Sequence, residues 1–311
     1  SPSLALIYIV AALFAAVDGL QRPSADAILP RLVEHQDLPA ASALMSLRWQ
    51  MGMIAGPSLA GVLISIFGVS AGFILDIATY FLSLIILIRV KSVPPIEISE
   101  NPSFSSLVAG VKYATSRKDL MGTYLVDLSA MFFAMPTALF PFWAEEAGAP
   151  WALGLFYAAG TIGSILVTLT SGWVRNYSKH GRAIFLAALG WGVAITFAGL
   201  VNNLFLILLF LILAGASDMV SALFRSTLWN QSIPDEFRGR LAGVELISYS
   251  VGPLGGQTRA GFTAERTSLR TSVVSGGLLC IGFVCFFTAL LPDFRKYDSQ
   301  SNKFAISEAK K

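Results

Sequence analysis

Apolar residues in this chain neither alternate nor recur at the spacing of a surface helix. They continue for about 20 positions at a time, the length that carries a helix across a bilayer. Nine such runs are marked, at 4–22, 48–67, 70–90, 121–143, 151–174, 183–201, 204–225, 241–262 and 271–291. The longest polar stretch, 91–119, holds Pro94, Pro95 and Pro102 and then a short amphipathic piece from Leu107 to Tyr113. It reads as a linker with a surface helix between two bundles. The pattern predicts an all-α membrane protein: three helices in 1–90, a linker over 91–120, a six-helix bundle over 121–291 and a tail over 292–311.

Small residues add a packing signal. Gly52, Gly56 and Ala60 fall at i, i+4 and i+8, so a helix there carries a smooth strip that a neighbouring backbone can approach closely. Pro57 follows the middle glycine and bends the helix by removing an N–H. Ser248, Gly252 and Gly256, with Pro253 after the middle position, repeat the construction. Aligning Asp18 with Asp218 also brings Val33 over Ile233 and Ala43 over Gly243, and a four-residue length difference then places Gly56-Pro57 over Gly252-Pro253. The first three spans therefore read as a repeat of the last three.

Composition agrees with the membrane reading: 55% of residues are hydrophobic and 13% charged, where an ordinary soluble domain carries roughly 25% charged residues. A net charge of +3 is too small to imply nucleic acid as a partner. The basic residues inform through their placement. With the 91–119 linker cytoplasmic, the segments near 23–47, 175–182 and 226–240 and the tail lie on the same side and hold most of the arginines and lysines outside the spans. The opposite loops hold only Arg266 and Arg270, which predicts a cytoplasmic C-terminus. Cys280 and Cys285, five apart in one span, read as apolar filler. No phosphate-cradling glycine loop with a lysine occurs, and neither enzyme chemistry, nor a cofactor, nor a metal site is expected. The chain starts with Ser-Pro, and no basic segment precedes the first run, so no signal peptide is read.

The two Gly-Pro helices resemble the antiporter motif of the major facilitator superfamily, at Gly52, Gly56, Pro57 and Gly61 in the first copy and Gly239, Gly252, Pro253 and Gly256 in the second. Ala43, Ala60, Ser248 and Gln257 depart from its glycines. Residues 22–44 and 230–241 are similar to the branch of that superfamily that includes the bacterial enterobactin exporter and macrolide efflux proteins. The resemblance implies a major facilitator fold of two pseudo-symmetric bundles with twelve helices, of which this chain would carry helices four to twelve, about three lying upstream of Ser1. It further implies a proton-coupled exporter of a small amphiphilic molecule, siderophore or drug-like, in the bacterial inner membrane, with protons and the bilayer as partners and a monomeric state. A facilitator or importer of the same fold, or a transporter-derived receptor that binds without transport, are the alternatives. The loop Gly172 to Arg182, with Arg175, occupies the place of the superfamily's Gly-x-x-x-Asp-Arg motif, but Asn176 replaces the acid. Arg238 and Arg240 belong to the corresponding basic loops.

Charges within spans are costly, about 2.5–3.5 kcal/mol on insertion scales, and so carry functional information. Asp18 and Asp218 each lie about fourteen residues into their spans, the equal depth a symmetric central site predicts. Arg22 and Arg225 follow them on roughly the same faces, so each acid reads either as half of a structural ion pair or as a substrate or proton group. Asp127, near one edge of its span, reads as a wetted helix end or a gate. Asp76 is expected to bond Tyr80, Glu245 to pair with Arg240 or Arg238, and His180 to be a solvated loop residue. Phe132, Phe133, Phe140, Phe142 and Trp143 are expected to face mostly lipid or the interface, although such a cluster also suits an amphiphilic ligand. By the resemblance, Asp18, Arg22, Asp127, Phe133 and Asp218 lie near the cavity.

Overall fold

The computed structural model describes residues 3, 5–6, 8–17, 48, 52, 56, 59–60, 63, 67–89, 108, 112–233, 235–302 and 304, with only the backbone at 69, 175, 230, 235–240 and 242–250. The chain divides into two units, Ser1–Gly56 with Leu63–Glu100, and Asn101–Lys311 with Pro57–Val62. In the first unit the described helices are α1 (Tyr8–Val17) and α2 (Val69–Ile88), whose large apolar side chains, Phe14, Phe73 and Phe81 among them, are exposed.

The second unit holds α3 (Lys118–Phe133), α4 (Phe140–Glu146), α5 (Leu153–Leu169), α6 (His180–Leu200), α7 (Leu204–Ser232), α8 (Asp235–Arg266), α9 (Leu269–Leu290) and the short α10 (Pro292–Arg295). Three 3-10 turns, at Thr137–Leu139, Pro150–Ala152 and Ser171–Asn176, connect them. Six stretches among the described residues are long and apolar enough to cross a membrane. The run at 241–262 forms the middle of α8, which has the length to cross but too polar a composition to count among the six.

Helix starts follow from local chemistry. The Asn203 side chain accepts from the N–H groups of Phe205 and Leu206, and Ser268 Oγ accepts from Thr271, so α7 and α9 begin with capped donors. α7 packs against α5 and α6; α6 and α3 in turn contact α9. At the crossing of α5 and α7 a Cβ on Gly163 would run into the Ile212 carbonyl, and one on Gly215 into the Gly160 carbonyl. Ser164 Oγ reinforces this crossing by lying 3.1 Å from both the Gly160 and Gly215 carbonyl oxygens. Where lipid removes the hydrophobic drive between helices, such close approach of small residues is what holds them together.

The run at 121–143 is not one helix. Pro136 has no N–H to give the Phe132 carbonyl and disfavours a helical Met135, so α3 ends at Phe133 and the chain resumes through the 3-10 turn and α4. Two side chains from other helices cover the carbonyls this break frees. Arg259 Nη2 of α8 donates to the Phe133 oxygen at 2.8 Å, and Trp191 Nε1 of α6 donates to the Ala134 oxygen at 3.1 Å. That is how non-helical backbone survives at membrane depth.

The tail is also part of the fold. Phe294 of α10 is fully buried against the start of α3, where a Cβ on Gly122 would meet its side chain, and against the start of α6, where Gly181 touches its carbonyl. Aromatics in an otherwise polar tail were the available sequence signal for this docking.

Candidate functional site

Inside the second unit one charged cluster lies between α3 and α7. The Arg225 guanidinium pairs with the Asp127 carboxylate, and both side chains are buried, at 3% and 7% exposure. Asp218, two turns before Arg225 on α7, lies within electrostatic reach of both. Two carboxylates therefore face one guanidinium in an apolar bundle. Arg225, expected to follow Asp218 on one face of α7, also meets an acid from another helix, Asp127 of α3. Asp127 is consequently not a wetted helix end. Spacing on one helix showed which face Arg225 occupies, but not that α3 brings a second acid to it.

Phe133 stands at the α3 break, stacked on Phe283 of α9 with ring centroids 4.6 Å apart and edge-on to Phe132 at 5.1 Å. Of the other aromatics, Phe142 is exposed, whereas Phe140 and Trp143 are buried with Phe156, so lipid contact does not explain that pair. Asp18, Arg22, Pro57, Gly61 and His35 lie outside the described residues, as do the side chains of Arg175, Arg238, Arg240 and Glu245.

The second small-residue strip is a packing face. A Cβ on Gly256 would strike the Met131 carbonyl, and one on Gly252 would come within 3.2 Å of Met131 Cβ, so α8 packs its strip onto α3, with Pro253 inside the helix. At Gly52 and Gly56 an added Cβ would meet nothing within 4 Å among the described residues. Gly172 is exposed within the 3-10 turn, and Arg182 is exposed on the first turn of α6.

Two further readings need correction. His180 is not a solvated loop residue: it is the first residue of α6, buried at 3%, between Phe224 and Tyr297 with ring centroids 5.4 and 5.9 Å away. The docked tail, unseen in the hydropathy pattern, covers it. The exposed Asp76 side chain does not bond Tyr80; instead the Thr79 hydroxyl donates to the Asp76 carbonyl at 2.8 Å.

At the end of the unit where α3 and α6 start, Arg117 forms a two-pronged bond to Asp119, Nε to Oδ1 at 2.9 Å and Nη2 to Oδ2 at 2.8 Å. It also donates to Tyr113 Oη and the Ser232 carbonyl and stacks over the Phe304 ring at 3.4 Å. Burial opposes its charge, but the bonds to Asp119 and Tyr113 outweigh burial and hold its pKa above the ordinary value. Burial pushes the neighbouring Tyr297 phenol up to about 12. At the opposite end Arg270 bonds Glu146 at 2.8 Å and Asn202, in the open.

Sequence reasoning missed Arg259 and Trp191. Arg259 is a charge within an expected span, so it was visible in the sequence; the donor role of Trp191 becomes apparent only with the break in α3.

Membrane-length helices packed through small residues around a buried charge cluster define an integral membrane protein of the transporter class. The family model described as transmembrane secretion effector matches residues 1–309, and the chain belongs to that family of major facilitator transporters. It is 28% identical over 315 residues to the enterobactin exporter EntS of Shigella boydii serotype 18, across 99% of this chain and 74% of the relative. It is 27% identical over 315 residues to the protein of the same name from Escherichia coli strain SMS-3-5, with the same shares covered. The expected superfamily and all-α membrane fold are thus the observed ones.

Proposed function

We propose that the chain works as a proton-coupled exporter of a small amphiphilic molecule, by alternating access of two bundles about a site near the membrane centre. The observation that carries this reading is the Asp127–Arg225–Asp218 cluster. With both carboxylates ionised it keeps one net negative charge inside an apolar bundle, and a single proton cancels that charge. Proton arrival or departure then changes how strongly α3 is held to α7, which gives a gradient something to act on. Phe133, stacked on Phe283 at the α3 break, supplies an aromatic surface for the apolar part of a substrate. Asp18 and Arg22 are the counterparts in the other repeat, and the segments 1–90 and 121–291 are the two bundles.

The similarity to enterobactin exporters supports an aromatic, siderophore-like substrate and outward flux. The placement of basic residues supports a C-terminus in the cytoplasm, and the protein is read as a monomer of the bacterial inner membrane. The test is efflux of enterobactin from reconstituted vesicles under an imposed pH gradient. Asp127→Asn and Asp218→Asn are expected to lower gradient-driven efflux at least tenfold while both variants still insert and run as the parent in gel filtration. Equal efflux by parent and both variants would remove the cluster from proton coupling.

A further inference from the structure

On the second unit a groove of ≈ 630 Å³ runs between α5 and α6 with α7 as its floor, a volume inside the roughly 300–1,000 Å³ range of ligand pockets. Its body is apolar, formed by Leu186 and Val193 of α6 and Phe210 and Leu213 of α7, with Ser217 the polar atom in the floor beside Gly190. Leu186, Val193 and Leu213 are half exposed, so the groove opens sideways, in the direction a neighbouring lipid would enter. At the end where α6 starts, Trp173 and Tyr177 form the rim, rings 6.4 Å apart, and aromatic rings of this kind mark the headgroup level of a bilayer.

Beyond that rim the α6 face turns cationic. Lys179, Ala183, Leu186, Gly190 and Val193 stand at i, i+4, i+7, i+11 and i+14, so the exposed Lys179 continues the groove stripe by one turn. Arg182, also exposed, stands four residues before Leu186. The first turn of α6 contains no acid. The carboxylate of Asp298 accepts from Ser178 at 3.2 Å and belongs to the tail, which packs on the opposite side of α6 against Gly181.

We infer that this groove is a binding site for one anionic phospholipid. An acyl chain lies along Leu186, Val193 and Leu213, the ester region meets Trp173 and Tyr177, and the phosphate faces Lys179 and Arg182. The order of apolar body, aromatic rim and cationic head matches the lipid along its length, and the charge selects the anionic headgroup over a zwitterionic one. The inference does not depend on proton coupling.

Trp173 supplies the probe. The full chain is placed in vesicles containing phosphatidylglycerol or phosphatidylcholine brominated on one acyl chain, and quenching is read as the difference between the parent and Trp173→Phe. Phosphatidylglycerol is expected to quench the Trp173 component at a lower mole fraction, by about fivefold for each cation. Lys179→Gln with Arg182→Gln should bring the two lipids level. As a second readout, mass spectrometry of the protein released from detergent should show one retained phosphatidylglycerol on the parent and none on the double variant. Equal quenching of the parent by both lipids would reduce the groove to ordinary lipid contact, and no quenching by either would mean that protein covers it; each overturns the proposal.

Discussion

An arginine and a carboxylate tie each end of the α3–α9 unit, and the two ties differ in almost every other respect. Arg117 and Asp119 are buried, at 5% and 7% exposure, bonded through two parallel contacts, and surrounded by Tyr113 of the preceding turn, Ser232 at the end of α7 and Phe304 of the tail. Arg270 and Glu146 are 38% and 42% exposed and meet through one guanidinium nitrogen, with Asn202 as the only other partner recorded. The helices differ in the same sense. α3 is continuous beside Arg117 and broken at Ala134–Pro136 on the way to Glu146. Burial turns an ion pair into a fixture, because separating it strands charge away from water; exposure leaves a tie that water and salt can replace. Of the two ties, the buried one is the harder to undo.

The largest test of that contrast removes half of the buried tie. Asp119→Ala leaves Arg117 buried without its carboxylate and is expected to cost about 3–5 kcal/mol in a detergent-unfolding titration. Replacing both Arg117 and Asp119 by apolar residues of similar size should recover much of that loss. If Asp119→Ala were as mild as a surface change, the two ends would be equivalent after all.

A smaller effect is expected at the break in α3, which lies between the two ends. Arg259→Leu strands the Phe133 carbonyl and Trp191→Phe the Ala134 carbonyl, so each should cost about 1–3 kcal/mol, the usual penalty for an unpaired buried polar group. Hydrogen exchange should speed up over 134–139 in both variants while the Arg117 end stays protected. Uniform loss of protection along the unit would mean that the break is not a separate region.

How much of this contrast was visible in the sequence depends on the range of the interaction that made it. Apolar run length is a local property, and it marked the helices that became α1 to α9, with α3 and α4 read as one run. The strip of Gly252 and Gly256 was legible too, because small residues spaced by four have one geometric use in a helix, and α8 packs that strip on α3. Pro136 was equally plain but was passed over, since the apolar run continued through it and hydropathy has no term for a missing N–H. Partners brought together from distant positions were not legible. Asp127 with Arg225, His180 beneath Tyr297, and Arg117 under Phe304 each join residues far apart in the chain. Spacing could place Asp218 and Arg225 on one face of α7, but only the tertiary fold shows that α3 supplies the second acid.

The smallest effect belongs to the exposed tie, and its smallness is what the comparison requires. Arg270 and Glu146 keep much of their hydration, and each gives up side-chain freedom to hold one contact, so the net coupling should be about 0.2–1 kcal/mol. A double-mutant cycle with Arg270→Gln and Glu146→Gln measures it free of other losses, and added salt should shrink it further, since exposed charges are screened. The cycle must be read with Asn202 intact, because that residue shares the guanidinium and would otherwise be counted in the pair. A coupling as large as the loss in Asp119→Ala, or one indifferent to salt, would show that the Arg270 end is fixed as firmly as the Arg117 end.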